Sequence, residues 1–74
     1  MLTREQFFKK LGENIANLRK QQNLSIKELS LKSDISVRYL LKIENGEAVR
    51  ITSKHICKLH NALKIPVYKF FKSL

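Results

Sequence analysis

The sequence predicts an all-α fold of five helices, and three features carry that expectation. Only two glycines and one proline interrupt the 74 residues, so breakers of regular structure are scarce. Apolar residues recur at helical spacing, as in Phe7, Leu11, Ile15 and Leu18, or Ile56, Leu59 and Leu63. Residues that start helices precede these runs at Thr3, Ser25, Ser36 and either Thr52 or Ser53.

The first helix is expected over about residues 4–22. Thr3 and Gln6 make a capping box, in which each side chain satisfies an amide that the helix leaves without a partner, and Asn23 ends the run. The second covers about 26–33 behind a second box, Ser25 with Glu28, and directs Ile26, Leu29 and Leu31 inward. Ser36 opens the third, about 37–44, which Leu40 and Ile43 anchor in the core. It closes at Asn45-Gly46, where glycine can take the left-handed conformation. Only Ser33, Asp34 and Ile35 join the second helix to the third, so the two must cross steeply, as a helix-turn-helix pair does. Asp34 tolerates a left-handed backbone better than most residues, which suits it to that turn. The fourth helix, about 53–63, places Ile56, Leu59 and Leu63 on one face. Pro66, acceptable in a first turn, opens the fifth.

Fifteen lysines and arginines against six acidic residues give a formal net charge of +9, which puts a polyanion first among partners. The length is that of one domain, residues 1–74, with a small core. No apolar run approaches the roughly 20 residues of a membrane-spanning helix. Met1 to Gln6 is polar and lacks the apolar segment of a secretion signal, and a single cysteine suits a reducing compartment. A cytoplasmic protein without a membrane partner is expected.

On the third helix Leu40 and Ile43 define the buried side. Arg38, Lys42 and Asn45 fall on the opposite side, with Leu41 at the rim. Two cations and an amide facing outward are what entry into the major groove of double-stranded DNA requires. The Arg38 fork can donate two parallel bonds to guanine, whereas Val37 offers a methyl surface suited to thymine. Phosphate contacts are expected from the amides near Ser25, Ile26 and Lys27 at the start of the second helix. A second set is expected from Asn45, Gly46, Arg50, Thr52 and Ser53, with Glu47 a poor neighbour for phosphate.

Two further sequence features bear on function. His55, Cys57 and His60 suggest zinc, but on one helix they do not converge, so no metal is expected. His60 reads instead as a partly buried, hydrogen-bonded side chain, and Cys57 as a small packing residue. Val67, Phe70, Phe71 and Leu74 recur at i, i+3, i+4 and i+7, more apolar surface than a short segment has to bury. Part of this surface closes the core, and the rest suits a two-fold interface in a homodimer.

The chain resembles the phage-repressor (Cro/cI, XRE) family of helix-turn-helix proteins over about residues 11–71. The resemblance rests on Leu11-Gly12-Glu13-Asn14-Ile15-Ala16-Asn17-Leu18-Arg19, on Ile43 to Gly46, on Ala62-Leu63-Lys64-Ile65-Pro66 and on Phe70-Phe71, in that order. Asp34 stands where the family has a turn glycine, Ile51 where it has proline and His60 where it has alanine. The resemblance implies a five-helix lambda-repressor-like domain whose base-reading positions are Ser36, Val37, Arg38 and Lys42, with Tyr39 able to reach a base or the backbone. It also implies a structural ion pair between Arg19 and Glu44. The function it implies is transcriptional regulation, by a homodimeric repressor on an inverted-repeat operator. An antitoxin-type interaction module and a restriction-modification controller protein are the alternatives. No enzyme activity, cofactor or small-molecule ligand is expected.

Overall fold

Four α-helices and one short 3-10 helix follow one another in the computed structural model, which describes residues 2–48 and 50–74. They are α1 (Arg4–Gln21), α2 (Ile26–Ser33), α3 (Val37–Glu44), α4 (Ser53–Leu63) and a 3-10 helix over Val67–Phe71, and no strand occurs among the described residues. The caps explain the starts. Thr3 and Gln6 form the expected box, as do Ser25 and Glu28, while Ser36 Oγ accepts the Tyr39 amide at 3.1 Å. Thr52, rather than Ser53, caps α4. Left-handed residues explain several stops: Asn23 follows α1, Asp34 ends α2 at φ 58° and Lys64 ends α4 at φ 56°.

A single core joins all five elements. Leu11 and Ile15 of α1, Leu29 of α2, Leu40 and Ile43 of α3, Leu59 and Leu63 of α4 and Phe70 of the 3-10 helix meet there with Ile35 and Ala48. Helix α1 packs on α3 and on the 3-10 helix, and α2 packs on α3 and α4. The α1–α3 crossing is so close that a Cβ on Gly12 would strike the carbonyl oxygen of Ile43 and come within 2.8 Å of that of Glu44. Gly46, at φ 76°, lies as tightly against the backbone of Lys9.

Three expectations are corrected. The fifth helix is a five-residue 3-10 helix and does not extend to Leu74. Beyond it the backbone turns extended at Lys72 (φ −60°, ψ 132°), and Asn14 Nδ2 of α1 donates to the carbonyls of Phe70 and Lys72 at 2.9 Å each. The Phe70 carbonyl is the one an α-helix would offer to the Leu74 amide, which instead donates to Phe71 at 3.2 Å. Leu31 is 78% exposed, since two residues along a helix turn it about 200° from the buried Leu29. The same rotation from Leu59 leaves Cys57 exposed rather than packed.

Candidate nucleic-acid interface

Helix α3 carries its two faces as its sequence dictates. Leu40 and Ile43 are fully buried, while Ser36, Arg38, Leu41, Lys42 and Asn45 are exposed and Val37 and Tyr39 are half-buried. Arg38 and Lys42 therefore stand one helical turn apart on a free surface. Tyr39 is more constrained than its sequence position suggests. Its hydroxyl donates to the Arg50 carbonyl at 3.2 Å, and its ring stacks on His55 of α4 with centroids 4.8 Å apart and planes inclined by 30°. Sequence reasoning missed His55 in this role. The signal was present as Thr52-x-x-His55, a capping box in which imidazole replaces the usual Glu or Gln.

In that box the Thr52 amide donates to His55 Nδ1 at 3.1 Å and the His55 amide donates to Thr52 Oγ1 at 3.5 Å. An acceptor at Nδ1 places the ring proton on Nε2. Burial first, then the neighbouring charges of Lys58 and Lys54, lower the imidazole pKa below its ordinary value. Lys58, also unforeseen, reaches across to the helix-turn-helix junction: its Nζ donates to the Asp34 carbonyl at 3.2 Å and lies 3.7 Å from Asp34 Oδ2. A cation is favourable there, where α2 ends and its last carbonyls lack partners.

The backbone donors expected for phosphate are fewer than the sequence suggests. The Ser25 amide is taken by Glu28 Oε1 at 2.9 Å, which leaves Ile26 and Lys27 as the amides without an acceptor in α2. Hydrogen bonds from the Ser25 backbone and hydroxyl hold the Glu28 carboxyl below the usual carboxylate range, so a negative charge shares this helix end. The Thr52 amide is taken by His55. The Asn45 amide donates to Leu41 and that of Gly46 to Ile43, so Asn45 can contribute only its side chain and Gly46 no donor. Arg50 and Ser53 remain exposed.

Behind this surface the structure brings Arg19 and Glu44 together. Arg19 Nε donates to Glu44 Oε2 at 2.8 Å and Nη2 to Oε1 at 3.0 Å, while Nη1 donates to the Leu24 carbonyl at 2.8 Å. The two side chains are only 13% and 9% exposed. The hydrogen bond to Glu44 raises the Arg19 pKa beyond its ordinary value, against the opposing effect of burial. This guanidinium is thus a permanent charge, with three of its five N–H donors engaged, that ties α1 to the C-terminal end of α3.

His60 is half-buried with Nδ1 at 2.6 Å from the Ile65 carbonyl, and His55 is engaged at Thr52, so the two rings serve separate local bonds. Among the described residues, no group of three or more His, Cys, Asp or Glu side chains comes together as metal ligands would. The expected interface set is corrected at Phe70, which the core buries completely. Val67, Phe71 and Leu74 keep 38%, 37% and 38% exposure, and Tyr68, unforeseen, adds a more exposed ring beside them.

The sequence profile of the helix-turn-helix family matches residues 15–70. A comparison with curated protein sequences gives no match. Among solved structures, the chain is similar to the restriction-modification controller protein C.AhdI from Aeromonas hydrophila. The identity is 28% and the TM-score 0.82, over 86% of this chain and 96% of that one. No helix among the described residues is long and apolar enough to cross a membrane. With a family profile that spans most of the core, both crossing helices and the cationic face of α3, this chain belongs to the helix-turn-helix family, of the XRE type, and is a DNA-binding transcriptional regulator.

Proposed function

We propose that the protein represses transcription as a homodimer, placing α3 of each subunit in the major groove of one half of an inverted repeat. The observation that carries this reading is the outward face of α3, where Arg38, Lys42 and Asn45 are all exposed on a helix whose other side is sealed in the core. Arg38 reads guanine through its paired donors, Val37 packs on a thymine methyl, and Ser36 offers its hydroxyl proton while its oxygen caps the helix. Arg50, Ser53 and the amides of Ile26 and Lys27 hold phosphates on either side and set the register. Two such helices about one DNA turn apart, roughly 34–36 Å, demand half-site centres ~10 base pairs apart. Repression follows by occlusion of a promoter that overlaps the operator.

Val67, Phe71 and Leu74, with Tyr68, are the surface on which the subunits meet. Leu74→Asp tests this at the position least able to disturb the core. Sedimentation should show a weaker dimer with helix content unchanged, and titrations should show wild-type protein binding an intact palindrome far more tightly than a half-site. Equal affinity for the two would refute dimeric recognition.

The likeness to C.AhdI supports a second reading, control of restriction-modification genes, in which the protein activates as well as represses. Transcription in vitro across a protein titration separates the two. A promoter stimulated at low protein concentration and silenced at high concentration favours the controller, and monotonic silencing favours the simple repressor.

A further inference from the structure

The stacked pair of Tyr39 and His55 connects the exposed side of α3 to the start of α4, and the contacts described so far give it no part in recognition. We infer that His55 is a positioning residue for DNA binding: its neutral imidazole holds the Tyr39 ring at the reading surface and, through the Tyr39 hydroxyl, the loop that carries Arg50. The inference rests on the reading of α3 as the recognition helix.

The geometry gives the imidazole two separable tasks. Its Nδ1 accepts the Thr52 amide at 3.1 Å, which anchors the ring to the first turn of α4. The face of the ring supports Tyr39 at a centroid distance of 4.8 Å, and Tyr39 in turn donates to the Arg50 carbonyl at 3.2 Å. A base-reading helix and a phosphate-binding loop are thereby held in one register by a chain of three contacts. Without the imidazole, Tyr39 can rotate and the loop loses the partner of its Arg50 carbonyl.

Protonation weakens the anchor. A proton on Nδ1 would face the Thr52 amide, donor against donor, and would leave the ring only the Thr52 hydroxyl oxygen, 3.1 Å away, as an acceptor in the cap. The surroundings oppose that charge. Lys54 and Lys58 lie on the same helix, Lys58 being drawn also to Asp34 at the end of α2, while α3 presents the uncharged Tyr39 phenol and the loop presents the Arg50 carbonyl. Since the folded-state pKa lies below the ordinary value, the folded form binds fewer protons than the unfolded form between the two pKa values. The arrangement is therefore fully stable above the ordinary imidazole pKa and weakens as pH falls through it towards the folded pKa. Specific binding should weaken with it. An imidazolium attracted to DNA phosphate would give the opposite slope.

Two variants separate the tasks. His55→Gln keeps a capping-box side chain and removes the ring, whereas His55→Phe keeps the ring and removes the acceptor. The target duplex is first obtained by binding-site selection with wild-type protein, and affinities for it are then measured at pH 7.5 and pH 5.5. Wild-type affinity should fall on acidification. His55→Gln should bind about two- to tenfold more weakly at pH 7.5, the range expected for losing an aromatic pair. His55→Phe, which keeps the ring face and loses the anchor, should bind more tightly than His55→Gln at pH 7.5 but not as tightly as wild type, and neither variant should show the wild-type pH dependence. Undiminished binding by His55→Gln, a wild-type pH profile in His55→Phe, or wild-type affinity that rises on acidification would each overturn the inference. If wild-type protein selects no sequence at all, the reading of α3 fails first and this inference with it, a result distinct from the other three.

Discussion

The two ends of α3 are held by different kinds of interaction. At the C-terminal end the carbonyls of Ile43 and Glu44 abut Gly12, and the Glu44 carboxylate is locked in a buried, two-pronged pair with Arg19. At the N-terminal end a serine cap and a stacked pair of half-buried rings serve the same purpose. The first end cannot shift without breaking charged hydrogen bonds in a shielded site, while the second rests on contacts worth far less each. In the proposed complex this division would seat α3 in the domain by its C-terminal end, while the end directed at the groove is held by the weaker contacts.

The comparison breaks most severely at the ion pair. Arg19→Ala or Glu44→Ala should each lower unfolding stability by an amount between the ~1 kcal/mol of an exposed pair and the ~3–5 kcal/mol of a fully buried one, because the surviving charge is left without its partner in a largely shielded site. The double variant should lose much less than the sum. Urea melts of the three proteins decide it, and strictly additive losses would mean the two residues do not interact. The reading end should respond in binding rather than stability: Arg38→Ala should weaken specific binding by ~1–3 kcal/mol and relax preference at one base pair per half-site. Arg50→Ala should weaken all sequences alike. Binding-site selection on both variants tests the distinction, and an unchanged preference in the Arg38 variant would remove its assigned role. The smallest effect is expected at Ser33, the last residue of α2, whose buried hydroxyl has no hydrogen-bond partner. Ser33→Ala should raise stability by up to ~1 kcal/mol, since it removes an unsatisfied polar group at little cost in packing. A loss on melting would show that the hydroxyl is bonded in solution.

What was legible in the sequence is what short-range chemistry decides. The limits of α2 and α3 follow from Ser25, Glu28, Ser36 and the left-handed Asp34, all acting within a turn of where they sit. The outward set of α3 follows from its helical period, and Arg38 and Lys42 are exposed where that period puts them. The 3-10 helix was not legible because the contacts that hold this segment are distant: Asn14, 56 residues away from Phe70, bonds its carbonyl, and no local pattern carries that contact. The phosphate donors were overcounted for a related reason. A capping residue looks from sequence like a free donor, yet at Ser25 and Thr52 the reciprocal bond of the box consumes the amide it would offer. His55 escaped notice because its imidazole acts in a box through an acceptor nitrogen that most histidines show to water.

Gly12 makes no contact that could reach DNA, yet the crossing of α1 and α3 gives it a place in the heritable history of the protein. Any side chain there, even a single methyl, must push against the backbone oxygens of Ile43 and Glu44, which belong to the recognition helix itself. In a library with every position varied and survivors selected for operator binding, Gly12 should therefore tolerate less than Val37 or Lys42, which the proposed complex turns towards DNA. Positions on that face could vary with the operator, whereas the glycine at the α1–α3 crossing is confined by the backbone it touches.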